Sequence, residues 1–91
     1  MKLSFPNNSR SYDESRNCVC FWGYDSTIEV SFFVRKEALM LLCPDMENTE
    51  SGFLEAFDMA MKKIHKVADK VYIKGGGGKG TYAYSLSAGD F

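Results

Sequence analysis

A chain of 91 residues with formal net charge −1, 45% hydrophobic and 25% charged, describes one small globular domain, residues 1–91, and excludes a multidomain or disordered protein. The longest apolar run is Ala38–Cys43, far short of the roughly eighteen residues a membrane helix needs, and MKLSFPNNSR carries no apolar stretch of the kind a signal peptide requires. Three cysteines, an odd number with no export signal, predict reduced thiols and a cytoplasmic setting.

In chain order, KLSF can form a short strand, and PNNSRSYDESRN carries turn chemistry throughout. Cys18–Tyr24 is rich in strand formers. Thr27–Val34 alternates, with Ile28, Val30, Phe32 and Val34 on one side. The short DS link between these runs predicts an antiparallel hairpin. RKEALMLLC reads as a short helix stopped by Pro44. Asn48 or Thr49 then caps a long helix over about Glu50–Asp69. Its apolar stripe runs through Phe53, Phe57, Ile64 and Ala68, with Asp58, Lys62, Lys66 and Asp69 opposite. KVYIK alternates again, and TYAYSLS places Tyr82, Tyr84 and Leu86 on one side. These two segments predict a second hairpin, with residues 75–80 as its flexible loop. The expected fold is α+β, a mainly antiparallel sheet in the order β-β-β-α-α-β-β, with one long and one short helix packed on one face.

KGGGGKGT, Lys74–Thr81, resembles a phosphate loop only superficially. With Lys79 as the phosphate lysine, Gly80 falls where Ser or Thr should hold magnesium, and Ile73 falls at the leading glycine. A strand, not a helix, is expected to follow, so no helix N-terminus would face a phosphate. Cys18 and Cys20 sit two apart on a strand and point to one face. With Cys43 and His65 they would make a thiolate–imidazole zinc set, but CVC inside a strand lacks the spacing of a zinc knuckle. No metal and no cofactor is therefore expected. His65 at the edge of the helix stripe and the Glu55/Asp58 pair assemble no nucleophile, base and orienter, so catalysis is not expected either.

Two surface features remain. Trp22, Tyr24, Phe33, Tyr72, Tyr82 and Tyr84 lie on predicted strands, and an aromatic sheet face, with Trp22, Tyr24, Tyr82 and Tyr84 as its candidate surface, suits a dimer interface. The charge is also lopsided: all six basic residues after position 58 are lysines, Lys62, Lys63, Lys66, Lys70, Lys74 and Lys79, facing only two acids. Lys62, Lys66, Lys70, Lys74 and Lys79 with the tyrosines make a candidate surface for nucleic acid.

The run of Phe5-Pro6, Tyr12-Asp13, Phe21, Trp22-Gly23, Glu37-Ala38-Leu39, Ala56-Phe57 and Ile64-His65 resembles the bacterial family catalogued as domain of unknown function 1488. The likeness covers nearly the whole chain. It implies an α+β fold and a bacterial cytoplasmic setting, and no activity or catalytic residue. The glycine tract is longer than the short basic turn expected from that resemblance. The function expected from the sequence is a non-enzymatic binding or self-association module that uses the aromatic face, with a homodimer as the candidate assembly. The alternative is weak nucleic-acid binding through the basic C-terminal third. No membrane partner is expected.

Overall fold

The computed structural model describes residues 2–6, 10–76 and 82–91. Three strands come first: β1 (Arg10–Asp13), β2 (Cys18–Asp25) and β3 (Ile28–Arg35). Three helices follow: α1 (Lys36–Leu42), α2 (Glu50–Met59) and α3 (Met61–Lys74). The chain then adds β4 (Ala83–Leu86) and a 3-10 turn, Ala88–Asp90. The strands form one sheet in the order β1-β2-β3-β4. The first two pairings are antiparallel and the third is parallel. The fold is α+β with a mostly antiparallel sheet and its helices on one face, as the sequence predicts.

The predicted central hairpin is present, closed by Ser26 and Thr27, with Ser26 in the left-handed region at φ 60°. Its alternation builds the core. Val19 and Phe21 of β2, Val30, Phe32 and Val34 of β3, and Leu86 of β4 are all buried beneath the helices. Helices α2 and α3 complete the layer with Phe57, Ile64, Ala68 and Tyr72. The ring of Phe57 lies 5.1 Å from that of Phe21. Thr49 is the cap of α2, its hydroxyl accepting the Gly52 N–H at 3.0 Å.

Five local expectations are corrected. Arg10–Asp13 is a strand paired with β2, not part of a turn. Its polar residues are tolerated because it is an edge strand, and Tyr12 still packs inward on Phe53 at 5.3 Å. The KLSF segment makes only an isolated antiparallel bridge, Ser4 with Tyr24, alongside the other end of β2.

The long helix is two helices, broken at Ala60 (φ −103°, ψ 12°). The Ala60 N–H still reaches Ala56 and its carbonyl still accepts from Ile64, so the bend sacrifices neither bond. It lets α2 seat Phe53 and Phe57 near β1 and β2, while α3 aims His65 and Tyr72 at Phe5 and Tyr84. The polar-side placement of Asp69 is also wrong. It is only 8% exposed, because its carboxylate accepts the Leu3 N–H at 2.7 Å and so anchors the N-terminal segment.

Finally, Val71–Lys74 continues α3 instead of starting a strand. Ile64, Ala68 and Tyr72 fall four apart on the buried stripe, and Tyr72 is fully buried against Tyr84. Five alternating residues fit either period, and the existing helix supplies the backbone bonds. The second hairpin is therefore absent. The helices carry the chain back across the sheet, so β4 runs parallel to β3. Gly75 closes α3, its N–H donating to the Val71 carbonyl at 2.9 Å. Gly76 follows at φ 105°, a conformation that suits a glycine beyond a helix end. The rest of the expected loop, 77–80, with Lys79 and Thr81, lies outside the described residues.

Candidate interaction face of the sheet

Strand period and register decide which side chains share a face. Phe21 touches Phe57 and, at 5.6 Å, His65, so the odd-numbered residues of β2 point at the helices. Cys18, Cys20, Trp22 and Tyr24 point the other way. Their cross-strand partners on β3 are Arg35, Phe33, Ser31 and Glu29. Ala83 and Ser85 of β4 and Ser11 and Asp13 of β1 complete this second face. Among the described residues no helix packs on it.

Trp22, Tyr24, Phe33 and Cys20 are each half-buried there. The charges lie at its two ends. Glu29 sits beside Tyr24 at one end of β3, and Arg35 beside Cys18 at the other. Arg16 joins the second end, its guanidinium 4.9 Å from the centre of the Phe33 ring. A shallow depression of about 260 Å³ opens there between Arg16, Cys18, Phe33, Arg35 and Ser85.

The sequence grouped Trp22 and Tyr24 with Tyr82 and Tyr84, and the structure separates these pairs. Tyr84 is opposite Phe32 in the parallel register, so it faces the helices, stacked 5.8 Å from Phe32 and edge-on to Tyr72. Tyr82 shares the parity of Tyr84 and is 37% exposed at the end of β4. The lysines are separated too. Lys62, Lys66, Lys70 and Lys74 are exposed on α3, in the helical layer on the far side of the sheet from Trp22 and Tyr24. No single surface joins them. Phe33, one of the strand aromatics the sequence raised, sits on the open face with Trp22 and Tyr24, on the side its alternation with Val34 made legible, whereas Tyr72 is helical and buried.

The groups weighed for chemistry are also dispersed. His65 is stacked on Phe5 at 4.0 Å and flanked by Phe21 and Phe57, and burial lowers its pKa. Cys20 lies on the opposite face of the sheet from it. The Cys43 thiol contacts the Ala56 carbonyl at 3.7 Å. Asp58 receives two 2.8 Å bonds from Arg10, which tie α2 to β1 and raise the Arg10 pKa. A cleft of about 370 Å³ between the end of α1 and α2 has an apolar floor including Leu42, Met46 and Ala56 and a rim of Asp45, Glu47 and Glu55.

One cluster shares with the zinc set raised by the sequence only its two cysteines. Asp13 is the cross-strand partner of Cys18, so the Asp13 carboxylate and the Cys18 and Cys20 thiols converge at the turn end of the β1–β2 hairpin. One ligand atom from each lies within 4.8 Å of the other two. Burial raises the pKa of both thiols, that of Cys20 to about 12. The Ser15 hydroxyl, bonded to Asp13 at 2.8 Å, holds the carboxyl below its ordinary value. The available signal was Asp-x4-Cys-x-Cys across a short turn, readable only once Arg10–Asp13 is recognised as a strand.

A family model described as "Protein of unknown function (DUF1488)" matches residues 3–85. No curated protein matches the chain. Among solved structures, the crystal structure of a protein of unknown function from the DUF1488 family of Shewanella loihica PV-4 is similar, with a TM-score of 0.77 and 14% identity. The match covers 93% of this chain and 91% of that one, and at this identity the likeness concerns the fold. No helix among the described residues is long and apolar enough to cross a membrane.

Proposed function

The chain belongs to the DUF1488 family, whose function is unknown, and on that premise we propose that it is a non-catalytic binding module that pairs with a second copy through the open sheet face. The observation behind this reading is the layout of that face: Trp22 and Phe33 at its centre, Glu29 at one end, and Arg16 and Arg35, with Asp13 beside Arg16, at the other. A two-fold axis across the strands would lay Trp22 and Phe33 of each copy over the partner's apolar centre. The same rotation brings Glu29 of one copy to Arg35 of the other, because the two are six residues, about 20 Å, apart along β3. Aligned sheets pack about 10 Å apart, a spacing that Trp and Phe side chains can fill. A small chain also has the most to gain from such burial. Three free thiols suit a reducing, cytoplasmic setting.

The test is the solution mass over a wide concentration range by sedimentation. The mass should rise from one chain toward two. Glu29→Arg and Arg35→Glu should each weaken the pairing, and the double exchange should restore it. Both side chains are exposed, so neither change threatens the fold. A strict monomer, or single variants that associate like the wild type, would refute the reading.

A further inference from the structure

The geometry points to a second capacity of the same chain: Asp13, Cys18 and Cys20 form a three-ligand site for a thiophilic divalent cation of the zinc type. The local sequence sets it up. Cys18 and Cys20 share a face because they are two apart on β2, and β1 places Asp13 directly opposite Cys18. The ligand atoms already lie within 4.8 Å of one another. A tetrahedral zinc with Zn–S of about 2.3 Å and Zn–O of about 2.1 Å holds its ligands roughly 3.5–3.8 Å apart. The difference is about 1 Å, on the scale that side-chain rotation covers.

The carboxylate is oriented before any ion arrives. Asp13 Oδ1 accepts the Ser15 hydroxyl at 2.8 Å and the Arg16 N–H at 3.2 Å, leaving Oδ2 to turn toward the thiols. That is the outer support that metal-ligating carboxylates use. Oδ2 also has the Arg16 guanidinium 3.7 Å away, an exposed contact that an ion must displace. Two thiolates and a carboxylate around a doubly charged cation carry one net negative charge. Arg16 and Arg35 line the depression beside Cys18 and lend positive charge there, although Arg35 also pairs with Glu37 at 3.5 Å. The mix of ligands argues for zinc over a monovalent soft ion, since an oxygen ligand beside two sulfurs suits a borderline-soft cation. The set differs from the one raised by the sequence, because Asp13 takes the place of Cys43 and His65. Three protein ligands leave a fourth position on the solvent side of half-buried Cys20 for water or a partner's group.

The experiment is a Zn²⁺ titration of the full reduced chain against a chromogenic chelator, with Co²⁺ as a spectroscopic probe. One equivalent should bind per chain, and Co²⁺ should give thiolate charge-transfer bands and tetrahedral ligand-field bands. Cys20→Ser and Asp13→Asn should each weaken binding by about ten-fold or more. Cys43→Ser should leave it unchanged. Cys18 is buried, so its substitution is avoided, and thermal unfolding of the other variants without metal checks that each is folded. Zn²⁺ should raise the Tm of the wild type and of Cys43→Ser, but not that of Cys20→Ser. Equal affinity for wild type and Cys20→Ser, or Co²⁺ spectra without sulfur bands, would overturn the assignment. A monomeric chain would leave it standing, because all three ligands come from one copy.

Discussion

His65 and Asp69, four residues apart on α3, are polar side chains turned toward the core, each for a different reason. His65 is an aromatic ring in an aromatic slot, stacked on Phe5 with an interplanar angle of 6°. Burial lowers its pKa, so the unfolded chain binds the proton more readily than the folded one. The His65 contribution to stability is therefore present above the unfolded value near 6.5 and declines as pH falls through the folded one. Urea midpoints across about pH 5 to 7 should drop on the acid side, and His65→Phe should flatten that drop. An imidazole that titrates by NMR above its ordinary value would contradict this. Asp69 is a tether: it satisfies the buried Leu3 N–H, so Asp69→Ala orphans that donor. A loss of about 1–3 kcal/mol is expected, with faster amide exchange at Leu3 as the local readout.

The helices show how packing can reverse a propensity argument. Glycine inside a helix costs about 1 kcal/mol relative to alanine, so Gly52 near the start of α2 looks like a place to gain stability. A Cβ there, however, would lie 2.2 Å from the Glu47 carbonyl oxygen and 2.8 Å from its carbon. Those are backbone atoms of the incoming loop, which has to move as a unit. Gly52→Ala should therefore destabilise by about 1–3 kcal/mol, an overpacking cost, when chemical denaturation is compared with wild type. Thr49→Ala, which removes the hydroxyl that caps the Gly52 N–H, should cost about 1 kcal/mol. A stabilised Gly52→Ala would mean that the loop yields. Glycine thus serves here as a point of close approach, which propensity alone does not reveal.

For the whole molecule, one two-layer core carries the stability and one uncovered face carries the proposed functions. Phe57 sits at the centre of that core, fully buried against Phe21 and near His65. Phe57→Ala should cost about 3–5 kcal/mol, measurable as a lowered denaturation midpoint. Much of this core was legible in the sequence. The alternation of Val30, Phe32 and Val34, the stripe of Phe53, Phe57, Ile64 and Ala68, and a cap at Asn48 or Thr49, which the structure assigns to Thr49, are local patterns that point to one structure. The α+β class and the two sides of β3 follow from the same patterns. Other features depended on partners distant in the chain. Arg10–Asp13 is a strand because the edge of β2 offers it hydrogen bonds, and Val71–Lys74 is helical because Tyr72 fills the space beside Tyr84. The parallel direction of β4 follows from where α3 ends. The split of Trp22 and Tyr24 from Tyr84, and the meeting of Asp13 with Cys18 and Cys20, follow in turn from strand register. A periodic pattern determines which way a side chain points along its own element, but only the pairing of elements far apart in sequence decides what it meets.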